Sequence, residues 1–323
     1  DAACRQLARG EEIRLPPKTT SFKQWAERLS RHARSSELKA ELEYWRGVAG
    51  ANAGRLRLDH PAGGNSVASA KTVTVSLDAE TTNALLVEAP KAYNTQVNDL
   101  LLTALAESLA ARGGSPALLV DLEGHGREDL FDGVDLSRTV GWFTSVFPVV
   151  LDAGASDEPG AALKAVKEHL RRIPSRGVGY GLLRYLSDDE ETARALDAMP
   201  RAEVSFNYLG RFDGELPPDS PFDFADEPVG PQRSPAGERR HALDIIASVA
   251  RGRLAVSWTY SAEQFDAETV EGLASEFVES LRALVAHCAG GGAKGFTPSD
   301  FPEADLSQEE LDDILAEFGG QTE

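Results

Sequence analysis

A mixed α/β fold is predicted by three observations. Residues 117–122 (ALLVDL) are a short apolar run of strand length, residues 72–77 alternate apolar and polar side chains, and amphipathic helical stretches are interleaved with them. With 323 residues, 41% hydrophobic content, 29 Gly and 17 Pro, the chain has the composition of a soluble globular protein of one large or two moderate domains.

The elements follow in order. Residues 19–33 place Phe22, Trp25, Ala26 and Leu29 at i, i+3, i+4, i+7 spacing, with Thr20 or Ser21 as N-cap after Pro16 and Pro17. A second helix is expected from about Ser36, with Leu38, Leu42 and Trp45 on one face, ended by the Gly, Ala and Asn cluster at 47–54. Residues 56–67, with Pro61, Gly63 and Gly64, read as loop, and a lobe boundary is placed there. In 72–77, Val73, Val75 and Leu77 share one face of a half-buried strand, after which Asp78 caps a helix through Leu85 and Leu86. A longer helix over 95–112 sets Val97, Leu101, Ala104, Leu105 and Ser108 in register and stops at Gly113 and Gly114. The buried strand 117–122 then opens directly into residues 123–128.

Residues 145–151 form a further strand in which Pro148 lacks a backbone donor, implying an edge or a bulge. A helix over 161–172 turns Leu163, Val166 and Leu170 inward and closes at Pro174. Residues 203–209 read as a strand, and 244–250 with 253–260 as a hairpin across Arg251 and Gly252. Asp266 caps a helix with Val270, Leu273, Phe277, Leu281 and Leu284 on one stripe. Six prolines gather between 210 and 240, which reads as a long surface loop. The phrases DAETTNALL at 78 and DAETVEGLA at 266 are alike because both start helices with acids in the first turn. After Gly290 the chain is Gly-rich, then acidic and helical over 307–318, which reads as a linker.

Charge narrows the function classes. Thirty-three Lys and Arg against 52 Asp and Glu give a net charge of −19, which repels nucleic acid and anionic membrane over most of the surface. No apolar run approaches the roughly 18 to 20 residues that span a bilayer. Cys4 and Cys288 stand near opposite ends without CxxC or Cys/His spacing, so they read as free thiols of a reducing compartment, the cytoplasm, with no metal site.

Three stretches are unlike ordinary core: EGHGRE at 123–128 followed by RTVGWFT at 138–144, GVGYG at 177–181, and FNYLG at 206–210. Gly124 and Gly126 bracket His125 at the mouth of a buried strand, which suggests a tight turn presenting polar groups to a cavity. A carboxylate there, Glu123, loses solvent and gains basicity, suiting it to take a weakly acidic C–H proton. Two structural readings stand beside this: Glu123 as a salt-bridge partner of Arg127 or Arg138, and His125 as a hydrogen-bonded turn residue. GVGYG lacks the Lys-Ser or Lys-Thr of a phosphate loop, so nucleotide binding is not expected.

EGHGRE, RTVGWFT, GVGYG and FNYLGRFD, in that order, resemble the signature motifs of epimerization domains of nonribosomal peptide synthetases, and residues 98–104 (NDLLLTA) resemble an earlier one. The resemblance covers nearly the whole chain. It implies a chloramphenicol-acetyltransferase-like fold, two αβ lobes with the active site between them. It also implies inversion, L to D, of the α-carbon of an aminoacyl or peptidyl thioester. That substrate hangs on the 4'-phosphopantetheine of an upstream peptidyl carrier protein domain, and the domain itself uses no cofactor. By position, Glu123 is implied as an acid/base, Arg138 as organiser of the site's charge, and Asn207 and Tyr208 as groups lining the site that donate to an enolate or return a proton. His125, Trp142, Phe143, Gly179 and Tyr180 are implied as substrate-binding positions.

One departure stands out. Such domains carry an H-H-x-x-x-D-G motif in the first lobe, whereas the six histidines here, His32, His60, His125, His169, His241 and His287, are all isolated. The chain is therefore read as residues 1–65 from the end of a first lobe, 66–292 as a second lobe, and 293–323 as an acidic linker or communication helix leading to a downstream condensation domain. The parent domain is an isomerase, and this chain alone is expected to be inactive. A non-catalytic condensation-like docking module for a carrier protein is the competing reading. A peptide-bond-forming condensation enzyme is a third, disfavoured because its chemistry centres on the absent histidine motif.

Overall fold

A computed structural model describes every residue except 52, 114–116, 153, 155–158, 213–219, 221, 223–226, 228–229, 291–294, 305 and 320–323. The expected stop at Gly114, most of the proline-rich loop and the Gly-rich stretch after Gly290 lie outside the described residues.

The chain opens with α1 (Ala2–Ala8) and α2 (Phe22–His32). Ser21 caps α2 in a reciprocal box: its Oγ accepts from the Gln24 amide at 3.2 Å, and Gln24 Oε1 accepts from the Ser21 amide at 3.1 Å. The single helix expected from Ser36 is instead two, α3 (Ser36–Ala40) and α4 (Leu42–Gly50). Both Leu38 and Trp45 are fully buried, and Glu41 at the break accepts a 2.6 Å hydrogen bond from Ser175 Oγ. α4 ends at Gly50, inside the 47–54 cluster expected to stop it, and runs through Gly47 because Trp45 and Val48 pin that turn in the core.

Strand β1 (Ala70–Ser76) leads to α5 (Ala79–Asn83), a π-helical turn over Ala84–Glu88, and α6 (Ala89–Ala92). Asp78 caps α5 as expected, Oδ1 accepting from the Thr81 amide at 2.8 Å. Then come α7 (Val97–Gly113), β2 (Ala117–Gly124), β3 (Ser145–Asp152), α8 (Pro159–Arg171), α9 (Val178–Tyr185), α10 (Glu190–Asp197), β4 (Val204–Arg211), β5 (Leu243–Ala250), β6 (Arg253–Ser261), α11 (Ala267–Ala289) and α12 (Gln308–Gly319).

The six strands form one mixed sheet in the order β1-β6-β5-β4-β2-β3, with β2, β4 and β5 mutually parallel. Pro148 sits on the edge strand β3, whose pairing with β2 is unbroken, so the edge reading holds and no bulge forms. The β5–β6 hairpin turns on Arg251 and Gly252, both with positive φ (51° and 71°), as a two-residue turn that follows the strand twist requires. Asp266 stands at the N-cap of α11, but its carboxylate meets His60 Nε2 at 2.9 Å and makes no cap hydrogen bond, tying the 56–67 loop to that helix.

Register sorts the sheet's side chains into two kinds of row. Leu122, Phe206, Ile245, Trp258 and Val73 line up across five strands on one face, where Trp258 meets Phe277 of α11 edge-on at 5.8 Å between ring centroids. On the opposite face Asp121, Ser205, Asp244, Thr259 and Thr72 form one polar row, and Glu123, Asn207, Ile246, Ser257 and Thr74 the next. Hydroxyl pairs Thr72–Thr259 (3.0 Å) and Thr74–Ser257 (3.1 Å) bridge the strands there.

The tail is docked from Gly295, whose amide donates to Ala92 O at 3.1 Å. Lys167, 1% exposed on α8, reaches both Asp300 oxygens at 2.7 and 2.8 Å and Tyr93 O at 2.9 Å.

Candidate active site

Parallel strands β2 and β4 end side by side, and the chain opens there into a cavity of about 460 Å³. Its walls carry Glu123, Asn207 and Tyr208 from the strand ends, His125, Trp142 and Phe143 from the two motif loops, and Gln96 and Asn98 from the start of α7. A crevice outside the carboxyl ends of parallel strands is where α/β sheets place ligands.

The loop after Glu123 owes its shape to Gly126. Its φ is +67°, and a Cβ there would stand 1.6 Å from Phe143 O, so only glycine lets residues 124–128 lie against 141–144. Arg127 clamps the same pair of loops, donating to Leu136 O at 2.5 Å and Thr139 O at 2.9 Å with its guanidinium 3.9 Å over the Phe143 ring. Phe143 in turn meets Phe22 of α2 edge-on at 5.3 Å. Trp142 is left 82% exposed at the rim.

Glu123 makes neither of the salt bridges weighed from the sequence. Arg127 is committed to loop carbonyls, and Arg138 is exposed and has no ion pair among the described residues. The carboxylate is held by an amide: Asn207 Nδ2 donates to Glu123 Oε2 at 2.6 Å. Glu123 is exposed at the cavity mouth and keeps more solvent than its place at the end of a buried strand suggests. The partial desolvation there raises its pKa above its ordinary value and the nearby Asp244 raises it further, while His241, Arg233 and the Asn207 hydrogen bond pull the other way. Tyr208 is also raised, by burial against the opposing effect of Arg211, so its hydroxyl keeps its proton through the neutral range.

His125 is the turn residue foreseen as the structural reading. Its Nδ1 accepts from the Arg127 amide at 3.0 Å and its Nε2 lies 3.3 Å from Glu128, whose other oxygen is 3.4 Å from Arg176. Gly179 and Tyr180 are not brought to the cavity. They sit in the first turn of α9, buried: a Cβ on Gly179 would stand 1.9 Å from Glu41 Oε2, and the Tyr180 ring lies 5.1 Å from Trp45. Close helix packing accounts for that glycine.

A second cavity of about 540 Å³ shares Glu123 and Asn207 and spreads across the polar rows past Ser205, Asp244 and Thr259 to Thr72, with Arg233 at its side. Behind it lies a cluster that sequence reasoning missed. His241, 8% exposed, places Nε2 at 2.9 Å from Asp121 and Nδ1 at 3.1 Å from Asp244, and Arg239 and Arg240 join those carboxylates at 2.8 and 3.2 Å. Two signals were available: Asp121 is the one polar residue in ALLVDL, and RRHALD sets two arginines and a histidine just ahead of an aspartate.

Among the described residues there is no group of three or more His, Cys, Asp or Glu that could hold a metal ion, and no helix long and apolar enough to cross a membrane. Cys4 and Cys288 are free thiols, the latter buried with its pKa pushed up to about 11.

Comparison with known proteins agrees with this architecture. The condensation domain family model matches residues 1–307. The chain is 45% identical over 315 residues to a linear gramicidin synthase polypeptide of Brevibacillus parabrevis and 46% identical over 320 residues to chondramide synthase cmdD of Chondromyces crocatus. These alignments cover 97% and 98% of this chain but only 4% and 8% of those proteins. Among solved structures, the epimerization domain from the third module of tyrocidine synthetase B superposes with a TM-score of 0.82 at 37% identity, covering 89% of this chain and 64% of that one. The X-domain from teicoplanin biosynthesis, at 22% identity and a TM-score of 0.62, shares the fold. The six-stranded mixed sheet and its flanking helices are those of the chloramphenicol-acetyltransferase-like fold, and the chain belongs to the condensation domain family of nonribosomal peptide synthetases.

Proposed function

We propose that the domain to which this chain belongs inverts the α-carbon, L to D, of an aminoacyl or peptidyl thioester carried on the 4'-phosphopantetheine of an upstream carrier protein, and passes it to a downstream condensation domain. The observation that carries this reading is Glu123: a carboxylate of raised proton affinity at the meeting of two cavities, held by Asn207 and paired with no cation among the described residues.

Thioester conjugation already acidifies the α-proton, so the protein has to supply a base, a proton donor and an oriented substrate. Glu123 takes the α-proton, and the C–H electron pair passes to the thioester carbonyl as an enolate. Delivery of a proton to the opposite face of the α-carbon completes inversion, and the proton on Glu123 returns to solvent. Asn207 keeps the carboxylate aimed, and Tyr208, protonated and on the same cavity, is placed to stabilise the enolate oxygen or return the proton. In a domain carrying the H-H-x-x-x-D-G motif, its histidine is the other candidate donor.

The cavity bearing Gln96, Asn98 and Trp142 suits the amide groups and aliphatic links of the pantetheine arm, and the one bearing Thr72, Ser205 and Ile246 suits the acyl part. Phe143 and His125 shape the first through the loops they hold. The buried Gly179 and Tyr180 enter the reading only as supports of that frame, and Arg138, exposed and outside the lining of both cavities, is given no part in the step. The test is Glu123→Gln in the complete domain with carrier-loaded L-aminoacyl thioester: α-proton exchange is lost while carrier binding is kept, and normal exchange removes the assignment.

A further inference from the structure

We propose that His241, bridged between Asp121 and Asp244, is a positioning residue for Glu123: it fixes the strand that carries the carboxylate and holds a positive charge one sheet row behind it. The inference rests on the role given to Glu123 above.

The geometry comes from the register. Asp121 precedes Glu123 by two residues on β2, and Ser205 precedes Asn207 by two on β4, so the Asp121–Ser205–Asp244 row runs behind the Glu123–Asn207 row on the same face, about 7 Å away along the strands. Asp121 and Asp244 belong to strands separated by β4, about 9.5 Å apart at ordinary strand spacing. His241 spans that gap with one ring nitrogen on each carboxylate, while Ser205 Oγ beneath it donates to Asp244 at 2.7 Å.

Ionised carboxylates only accept, so both ring nitrogens of His241 must donate, and the ring is an imidazolium. Burial opposes that charge, but the hydrogen bonds to Asp121 and Asp244 outweigh it and hold the pKa above the ordinary 6.5. The charged groups facing the cluster are Asp121 and Glu123 on β2, Asp244 on β5, and Arg239 and Arg240 on the approach to β5, with Tyr180 of α9 within electrostatic reach of Asp121 and Arg233 beside Glu123. The ring's proton decides whether the cluster presents one more positive charge to Glu123.

The test uses this chain with ¹⁵N-labelled histidine. The expected result is a His241 titration midpoint above the ordinary 6.5, with both ring nitrogens protonated below that midpoint. In Glu123→Gln the midpoint moves down, because coupling between two sites is reciprocal. This comparison leaves the buried cluster untouched, so folding is not at issue. A midpoint at or below 6.5, or the same midpoint in both proteins, overturns the proposal. In the complete domain, His241→Gln is expected to lower kcat about tenfold with KM unchanged and to move the acid limb of the rate profile to higher pH. A fall in rate with the limb unmoved marks a merely structural role and also overturns it. Retention of α-proton exchange by Glu123→Gln would instead remove the proposed function while leaving the electrostatic coupling intact.

Discussion

Asn207 Nδ2 and Glu123 Oε2 stand 2.6 Å apart across the parallel β2–β4 pair, joining the third motif to the first at the junction of the two cavities. An amide can hold a carboxylate in place without neutralising it, as an arginine would. The carboxylate keeps its affinity for a proton and one unshared oxygen for the substrate.

Removing that hydrogen bond should therefore make Glu123 harder to ionise. The bond favours the charged form, so in Asn207→Leu the Glu123 pKa rises and the acid limb of α-proton exchange moves to higher pH. The rate at the plateau is expected to fall about tenfold through loss of orientation. A pH–rate profile of the complete domain checks both parts.

Tyr208→Phe separates proton return from proton removal. The ring and its burial are kept and only the hydroxyl is lost, so folding should be unchanged. The expected outcome is about 10²-fold slower inversion. Pre-steady-state wash-out of an α-deuterium should slow much less than appearance of the D-isomer; equal slowing of both would assign Tyr208 to the first step.

Gly126→Ala tests the loop that sets Glu123 and His125. The new methyl group meets Phe143 O at 1.6 Å on a backbone with φ +67°, so the 124–128 and 141–144 loops must separate. Thermal unfolding is expected to show a loss of about 2 kcal/mol. Activity should fall further than stability, because the separated loops carry Trp142 and Phe143 away from the cavity.

Lys167 and Asp300 anchor the tail. Burial pushes the Asp300 carboxyl up, but the Lys167 hydrogen bond, with help from Thr297 and Asn94, brings it below its ordinary 3.8. A depressed carboxyl stabilises fully above the unfolded value, and that contribution disappears as pH falls through the folded one. Asp300→Ala leaves a buried, unpaired lysine and should destabilise by about 3 kcal/mol in denaturant unfolding. Pairing it with Lys167→Met should recover most of the loss, since an apolar pair carries no desolvation penalty.

Local signals in the chain were readable, and long-range ones were not. Alternation in β1, the Asp78 cap and the positive-φ turn at Arg251 and Gly252 follow from neighbouring residues alone. The break at Glu41 does not, because its partner Ser175 lies 134 residues on. Tyr180 and Gly179 stood in a motif and so read as ligand contacts, yet Trp45 and Glu41 claim them. Glu123 was legible as a strand-end carboxylate. Its companion cluster left local signals at Asp121 and in RRHALD, but not their pairing, since Asp121 and His241 are 120 residues apart and only the β2-β4-β5 order brings them together.

The most direct measurement is α-deuterium wash-in by mass spectrometry, in D₂O, on an L-aminoacyl thioester loaded on its carrier protein, comparing this chain with a version extended upstream by a first lobe carrying the H-H-x-x-x-D-G motif. Deuterium entering the α-position with the extended protein, together with D-product, is the predicted result. Carrier binding without any exchange, in both proteins, would contradict the account and leave a docking module in its place.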